Sequence, residues 1–133
     1  MEFSIGGDTP VLDPSSDDIE SGLSSLTGEG DSFAILAESP MTYIQTSGSP
    51  TTGFVLEYQI DSLDQHFRSA SQQLPLHQVI EAFERYRTRD PAWREVTSWE
   101  REELSTESSL PLGAIALAVL ALGAVAAWWF GAA

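Results

Sequence analysis

The chain has 133 residues, with 20 Asp or Glu set against 6 Arg and no Lys, a formal net charge of −14 and no cysteine. Such a field repels phosphate backbones and anionic lipid, so no nucleic-acid partner is expected. The missing thiols remove disulfides, a thiolate nucleophile and Cys-ligated zinc. Residues 1–64 hold 12 acids and no base, and residues 65–133 hold 8 acids and all 6 Arg, a division of −12 and −2. That acidity suits a basic protein surface, and it equally suits solubility or a salt-adapted or GC-rich host.

Residues 1–12 are rich in Gly and Asp and read as a flexible N-terminus. At Asp13-Pro14-Ser15-Ser16 the chain offers helix-start chemistry: Pro in the first turn, a Ser hydroxyl to cap free amides, and Asp17, Asp18 and Glu20 near the positive end. Ile19, Leu23 and Leu26 recur at i, i+4 and i+7, predicting a short amphipathic helix that ends near Gly28. Four strand-like runs follow, at 33–38, 41–46, 53–60 and 63–69, separated by turn chemistry at Ser39-Pro40, 46–53 and Asp61-Ser62. In the third, Phe54, Leu56, Tyr58 and Ile60 share one face while Glu57 and Gln59 point the other way. In the fourth, Leu63, Gln65 and Phe67 oppose Asp64, His66 and Arg68. Short connections predict an antiparallel meander with one face buried and the other wet.

A second helix starts at Leu74-Pro75, where Leu76, Val79, Ile80, Phe83 and Tyr86 form a stripe able to cover the sheet; it breaks at Thr88-Arg89-Asp90-Pro91. Trp93, Val96 and Trp99 read as a closing segment on the same core. The expected fold class is α+β, a small two-layer head over residues 13–100 in the order α-β-β-β-β-α with an antiparallel sheet, then a polar linker at 101–109.

Residues 110–133 carry no charged or polar side chain. The stretch 110–130, opened by Leu110 and closed by Phe130, spans roughly 31 Å as a helix, the thickness of a bilayer's hydrocarbon. It is expected to be a single transmembrane helix. No basic N-terminal stretch suggests a secretory signal, and the preceding residues are too few to enclose a helix apolar on every side. Arg85, Arg87, Arg89, Arg94 and Arg101 all precede the span, which places the head in the cytoplasm, while Trp128 and Trp129 suit the far headgroup boundary. Small residues at Ala114 and Ala118, and at Gly123 and Ala127, suit close helix contact in lipid but leave the oligomeric state open. The expected localisation is the cell membrane, single-pass and tail-anchored.

For chemistry, only Asp64 and His66, two apart on one strand face, resemble an acid–base pair. No Ser or Cys stands in a nucleophile context, no motif places a second carboxylate, and no third ligand suggests a metal. No catalytic, cofactor-binding or metal-binding residue is therefore assigned, and no enzyme is expected. His77 opens the second helix far from any ligand spacing. Trp93 and Trp99 read as core closure before interface anchors.

The runs PSSDDIESGLSSLTGEGDSFAILAE, MTYIQTSG, GFVLEYQ and LPLHQVIEAFERYRTRDPAWREVTSWE together resemble the Imm1-like immunity proteins of bacterial polymorphic toxin systems, over about residues 11–100. The resemblance implies a non-enzymatic inhibitor that occludes a toxin with a basic surface. Its contacts would be acidic positions beside aromatic ones: Tyr43, Glu57, Tyr58, Asp61 and Asp64. The family's members are generally soluble, so the tail implies a toxin met at the inner membrane surface. The alternative is a membrane-tethered adaptor or regulatory subunit.

Overall fold

The computed structural model describes residues 1–30 and 32–102. The expected membrane span at 110–130 and most of the linker lie outside the described residues. Among the described residues, no helix is long and apolar enough to cross a membrane.

The elements in chain order are β1 (Glu2–Ile5), β2 (Val11–Leu12), α1 (Ser16–Ser24), β3 (Phe33–Ser39), β4 (Thr42–Ser49), β5 (Gly53–Ile60), β6 (Ser62–Ser69), α2 (Leu76–Arg87), a 3₁₀ turn (Pro91–Val96) and β7 (Trp99–Glu102). The strands form one seven-stranded sheet in the order β2-β1-β3-β4-β5-β6-β7, every neighbouring pair antiparallel. The protein is thus a small α+β domain with both helices packed on one side of the sheet.

Four strands and two helices stand where the sequence pattern puts them. The added strands lie at the edges. Residues 1–12, expected to be flexible, supply β1 and β2 instead, with Phe3 opposite Leu36 and Ile5 opposite Ala34 along β3. Phe3 and Ile5 alternate toward the helices, and their pairing covers backbone that β3 would otherwise leave open. At the other edge, residues 99–102 pair with β6 as β7, so the strand runs into the stretch expected to be linker.

α1 forms as its sequence dictates. The Ser15 hydroxyl accepts from the Asp18 amide at 3.1 Å and the Asp18 carboxylate accepts from the Ser15 amide at 2.9 Å, a reciprocal cap that starts the helix. Its Ile19 and Leu23 meet Val79, Ala82 and Phe83 of α2 and the strand residues Ala34, Leu36, Ile44, Phe54 and Leu56 in one buried cluster. Trp93 closes this core as expected, its ring 4.7 Å edge-on from Tyr58 and 5.2 Å from Tyr86. Trp99 packs edge-on to Tyr58 at 4.7 Å, and Phe67 stacks on the same ring at 4.9 Å.

The opposite face differs from the wet surface expected. Ile35, Ala37, Tyr43, Gln59 and His66 have no exposure, and Glu57 has 4 %. Alternation of polar and apolar residues sorts side chains onto two faces correctly, but it reads a polar face as solvated. Here the polar side chains satisfy one another instead.

The β4–β5 connection is tight. Gly48 has a φ of +131°, and a Cβ there would stand 2.2 Å from the Gly53 carbonyl oxygen. The clash is with backbone and cannot relax by a rotamer change. Gly48→Ala should lower unfolding free energy by roughly 2–3 kcal/mol in a urea titration followed by Trp fluorescence; an unchanged midpoint would contradict this packing.

Candidate functional site

The strand registers assemble the site. On the face away from the helices, His66 lies opposite Gln59 of β5 and opposite Glu102 of β7, and Arg68 lies opposite Glu57. These cross-strand neighbours stand within reach of each other because paired residues on one face are about 5 Å apart at Cβ.

His66 is fully buried and touches three acceptors. Its Nδ1 lies 3.1 Å from Gln59 Oε1, and its Nε2 lies 2.9 Å from Glu57 Oε2 and 3.4 Å from Glu102 Oε2. The Gln59 amide is oriented independently: its Nε2 donates to the Met41 carbonyl at 3.2 Å, and its Oε1 accepts from the Tyr43 hydroxyl at 3.4 Å. An oxygen therefore faces Nδ1, and Nδ1 carries a proton. Nε2 in turn faces two carboxylate oxygens, one from each neighbouring strand.

Arg68 offsets part of the carboxylate charge, its Nη1 lying 3.3 Å from Glu102 Oε1. Burial pushes the Glu102 carboxyl above its ordinary range and the Glu57 charge adds to this, while Arg68 and His66 pull the other way. Burial also raises the Tyr43 phenol, helped by the charges of Glu57 and Glu102. Gln45 Nε2 donates to Glu57 Oε2 at 2.9 Å, leaving Gln45 Oε1 buried with no partner.

Beside the cluster lies an open cavity of about 500 Å³, lined on this face by Phe33, Gln45, Val55, Glu57 and Arg68 and rimmed by Gly28, Gly48 and Gly53. It brings the polar network within reach of a ligand.

The five contact residues suggested by sequence do not form one surface patch. Tyr43 and Glu57 are buried together in this cluster, while Tyr58 is buried on the opposite face beneath Trp93 and Trp99. Asp61 sits exposed in the β5–β6 turn at a φ of 62°, its carboxylate accepting from Thr42 Oγ1 at 3.0 Å. Asp64 is exposed on β6, and its carbonyl accepts from Arg101 Nε at 2.9 Å. His66 takes its carboxylates from neighbouring strands, not from Asp64 along its own. Gln45, Gln59, Arg68 and Glu102 were missed; the alternation in β5 and β6 had put Glu57, Gln59, His66 and Arg68 on shared faces, but nothing local marked Glu102 as a strand residue. His77 is exposed on α2, outside the cluster.

Comparison with known proteins gives no matching family model, no matching curated protein and no matching solved structure.

Replacing His66 by Leu takes away the ring nitrogen that the Glu57 and Glu102 oxygens share. The cost should be about 3–5 kcal/mol in chemical unfolding, and adding Glu57→Gln should recover part of it. If the double variant is no more stable than His66→Leu alone, the carboxylates do not repel as the geometry requires.

The phenol shift sets an alkaline limit. Because the Tyr43 pKa is raised above its ordinary 10.0, the folded state holds that proton more tightly than the unfolded chain. Its contribution is fully present below pH 10 and is lost as pH rises through the folded value. Stability should fall above pH 10, and Tyr43→Phe should reduce the steepness of that fall, read from thermal midpoints across an alkaline pH series.

Proposed function

We propose that this chain is a tail-anchored, cytoplasm-facing binding protein that acts without catalysis, as an immunity-type inhibitor occluding a protein partner with a basic surface. The observation carrying this reading is how the charges are used. Arg68, Arg85, Arg87 and Arg89 are all engaged in ion pairs. Arg94 lies 5.3 Å over the Tyr58 ring and 5.2 Å over the Trp93 ring, and Arg101 serves the Asp64 carbonyl. Asp8, Asp17, Glu20, Glu29, Asp61 and Asp64 remain exposed and, among the described residues, outside any ion pair. A surface of this kind steers a basic partner and raises its association rate more than its final affinity. The resemblance of residues 11–100 to immunity proteins supports an inhibitor, and the charge-free stretch 110–130 supports a partner met at the membrane face.

Full-length protein captured from its own membrane fraction tests the reading. The expected outcome is a co-purifying toxin-like protein with a basic surface, whose association slows at least tenfold in the Asp61→Lys, Asp64→Lys double variant and weakens with added salt. Recovery in the soluble fraction would remove the anchor. Binding indifferent to salt and to both substitutions would remove the electrostatic mechanism. Capture of membrane-complex subunits in place of a toxin would favour an adaptor role.

A further inference from the structure

We propose that Glu57, His66 and Glu102 form a binding site for one first-row divalent transition-metal ion. The inference stands apart from the partner reading and rests on the geometry at His66 Nε2.

The three atoms that face one another are the right kind and nearly the right distance apart. Zn²⁺ bonds imidazole nitrogen and carboxylate oxygen at about 2.0–2.2 Å, so ligand atoms around such an ion lie about 3.0–3.5 Å from each other, depending on tetrahedral or octahedral geometry. His66 Nε2 is 2.9 Å from Glu57 Oε2 and 3.4 Å from Glu102 Oε2, and all three atoms lie within 4.8 Å of one another. Two of the three separations thus match the ligand shell of an ion, and the third, between the two carboxylate oxygens, is within 4.8 Å. One nitrogen and two oxygens match Zn²⁺, Mn²⁺ or Fe²⁺ better than Ca²⁺, which takes 6–8 oxygens.

The surroundings also orient these ligands for metal. A metal-binding imidazole ordinarily donates its other ring N–H to an oxygen, which leaves the ligating nitrogen's lone pair directed at the ion. Gln59 Oε1 is that acceptor, 3.1 Å from Nδ1, and the Met41 carbonyl holds the amide in this sense. Arg68 touches Glu102 through Oε1 and leaves Oε2 for the ion.

Gln45 provides a second, separate observation. It is 5 % exposed, its amide is aimed at Glu57 Oε2 at 2.9 Å, and its Oε1 has no hydrogen-bond partner. This buried amide therefore holds Glu57 Oε2 in place while keeping one unsatisfied oxygen beside the cluster.

The burial is graded: His66 is fully buried, while the Glu102 side chain retains 19 % exposure. Glu102 is thus the ligand on the approach side. Because it is carried by the edge strand β7, the bound ion would fasten that strand to β5 and β6.

The test uses full-length protein stripped with a chelator and titrated with Zn²⁺ by calorimetry, and with Co²⁺ by visible absorption. The expected result is one ion per chain, a Co²⁺ d–d band of nitrogen–oxygen coordination, and a raised thermal midpoint in the presence of Zn²⁺. His66→Gln and Glu102→Gln should each weaken binding at least tenfold and abolish the thermal shift. Gln59→Leu, which touches no ion, should weaken it by about 10–100-fold. If His66→Gln fails to fold, the partly exposed Glu102 position decides alone. No uptake by the wild-type chain overturns the proposal. Uptake unchanged in Glu102→Gln also overturns it, because the ions are then held by the acidic surface.

Discussion

His66 stands where three strands meet, with Glu57 of β5 at 2.9 Å, Glu102 of β7 at 3.4 Å and Gln59 of β5 at 3.1 Å, all without exposure of its ring. Removing two carboxylates and a guanidinium from bulk water costs several kcal/mol per ion unless each is paired and hydrogen-bonded. The imidazole contacts both carboxylates, and it also joins the edge strand to the sheet interior.

This interaction explains why the sheet has two interiors of different kinds. On the helix side, Phe54, Leu56, Tyr58 and their neighbours are held by area removed from water, a force with little directional preference. On the other side, Tyr43, Gln45, Glu57, Gln59 and His66 are held by directed contacts that tolerate no change of register. A slip of one residue between β5 and β6 would carry Glu57 and Gln59 into the aromatic cluster and turn Tyr58 out. The polar network thus adds specificity of pairing to a sheet whose stability comes mainly from the apolar side.

The charges divide in the same way. Arginines are spent on internal and local partners: Arg68 on Glu102, Arg85 on Glu81 and Asp90, Arg87 on Glu84, and Arg89 on Glu38. The excess of acid is thereby left on the outside, on α1 and the turns, where it acts at a distance on whatever approaches. A ligand in the cavity would meet side chains of both signs, Glu57 and Arg68, whereas a protein approaching from solution would meet a negative field.

The sequence by itself determined both helices, the four central strands and which residues share a face, because periods of 3.6 and 2 are properties of consecutive residues. Ser15 and Asp18 announced the start of α1, and Leu76, Val79, Ile80 and Phe83 announced the buried stripe of α2. It also put Glu57 with Gln59, and His66 with Arg68, on common faces. Only the tertiary structure decided that this polar face is buried, that residues 2–5 and 99–102 complete the sheet, and that His66 belongs with Glu57 and Glu102 and not with Asp64. Those facts depend on which strands become neighbours and in what register. Such choices are settled by the summed burial and hydrogen bonding of residues tens of positions apart, and no local pattern records them.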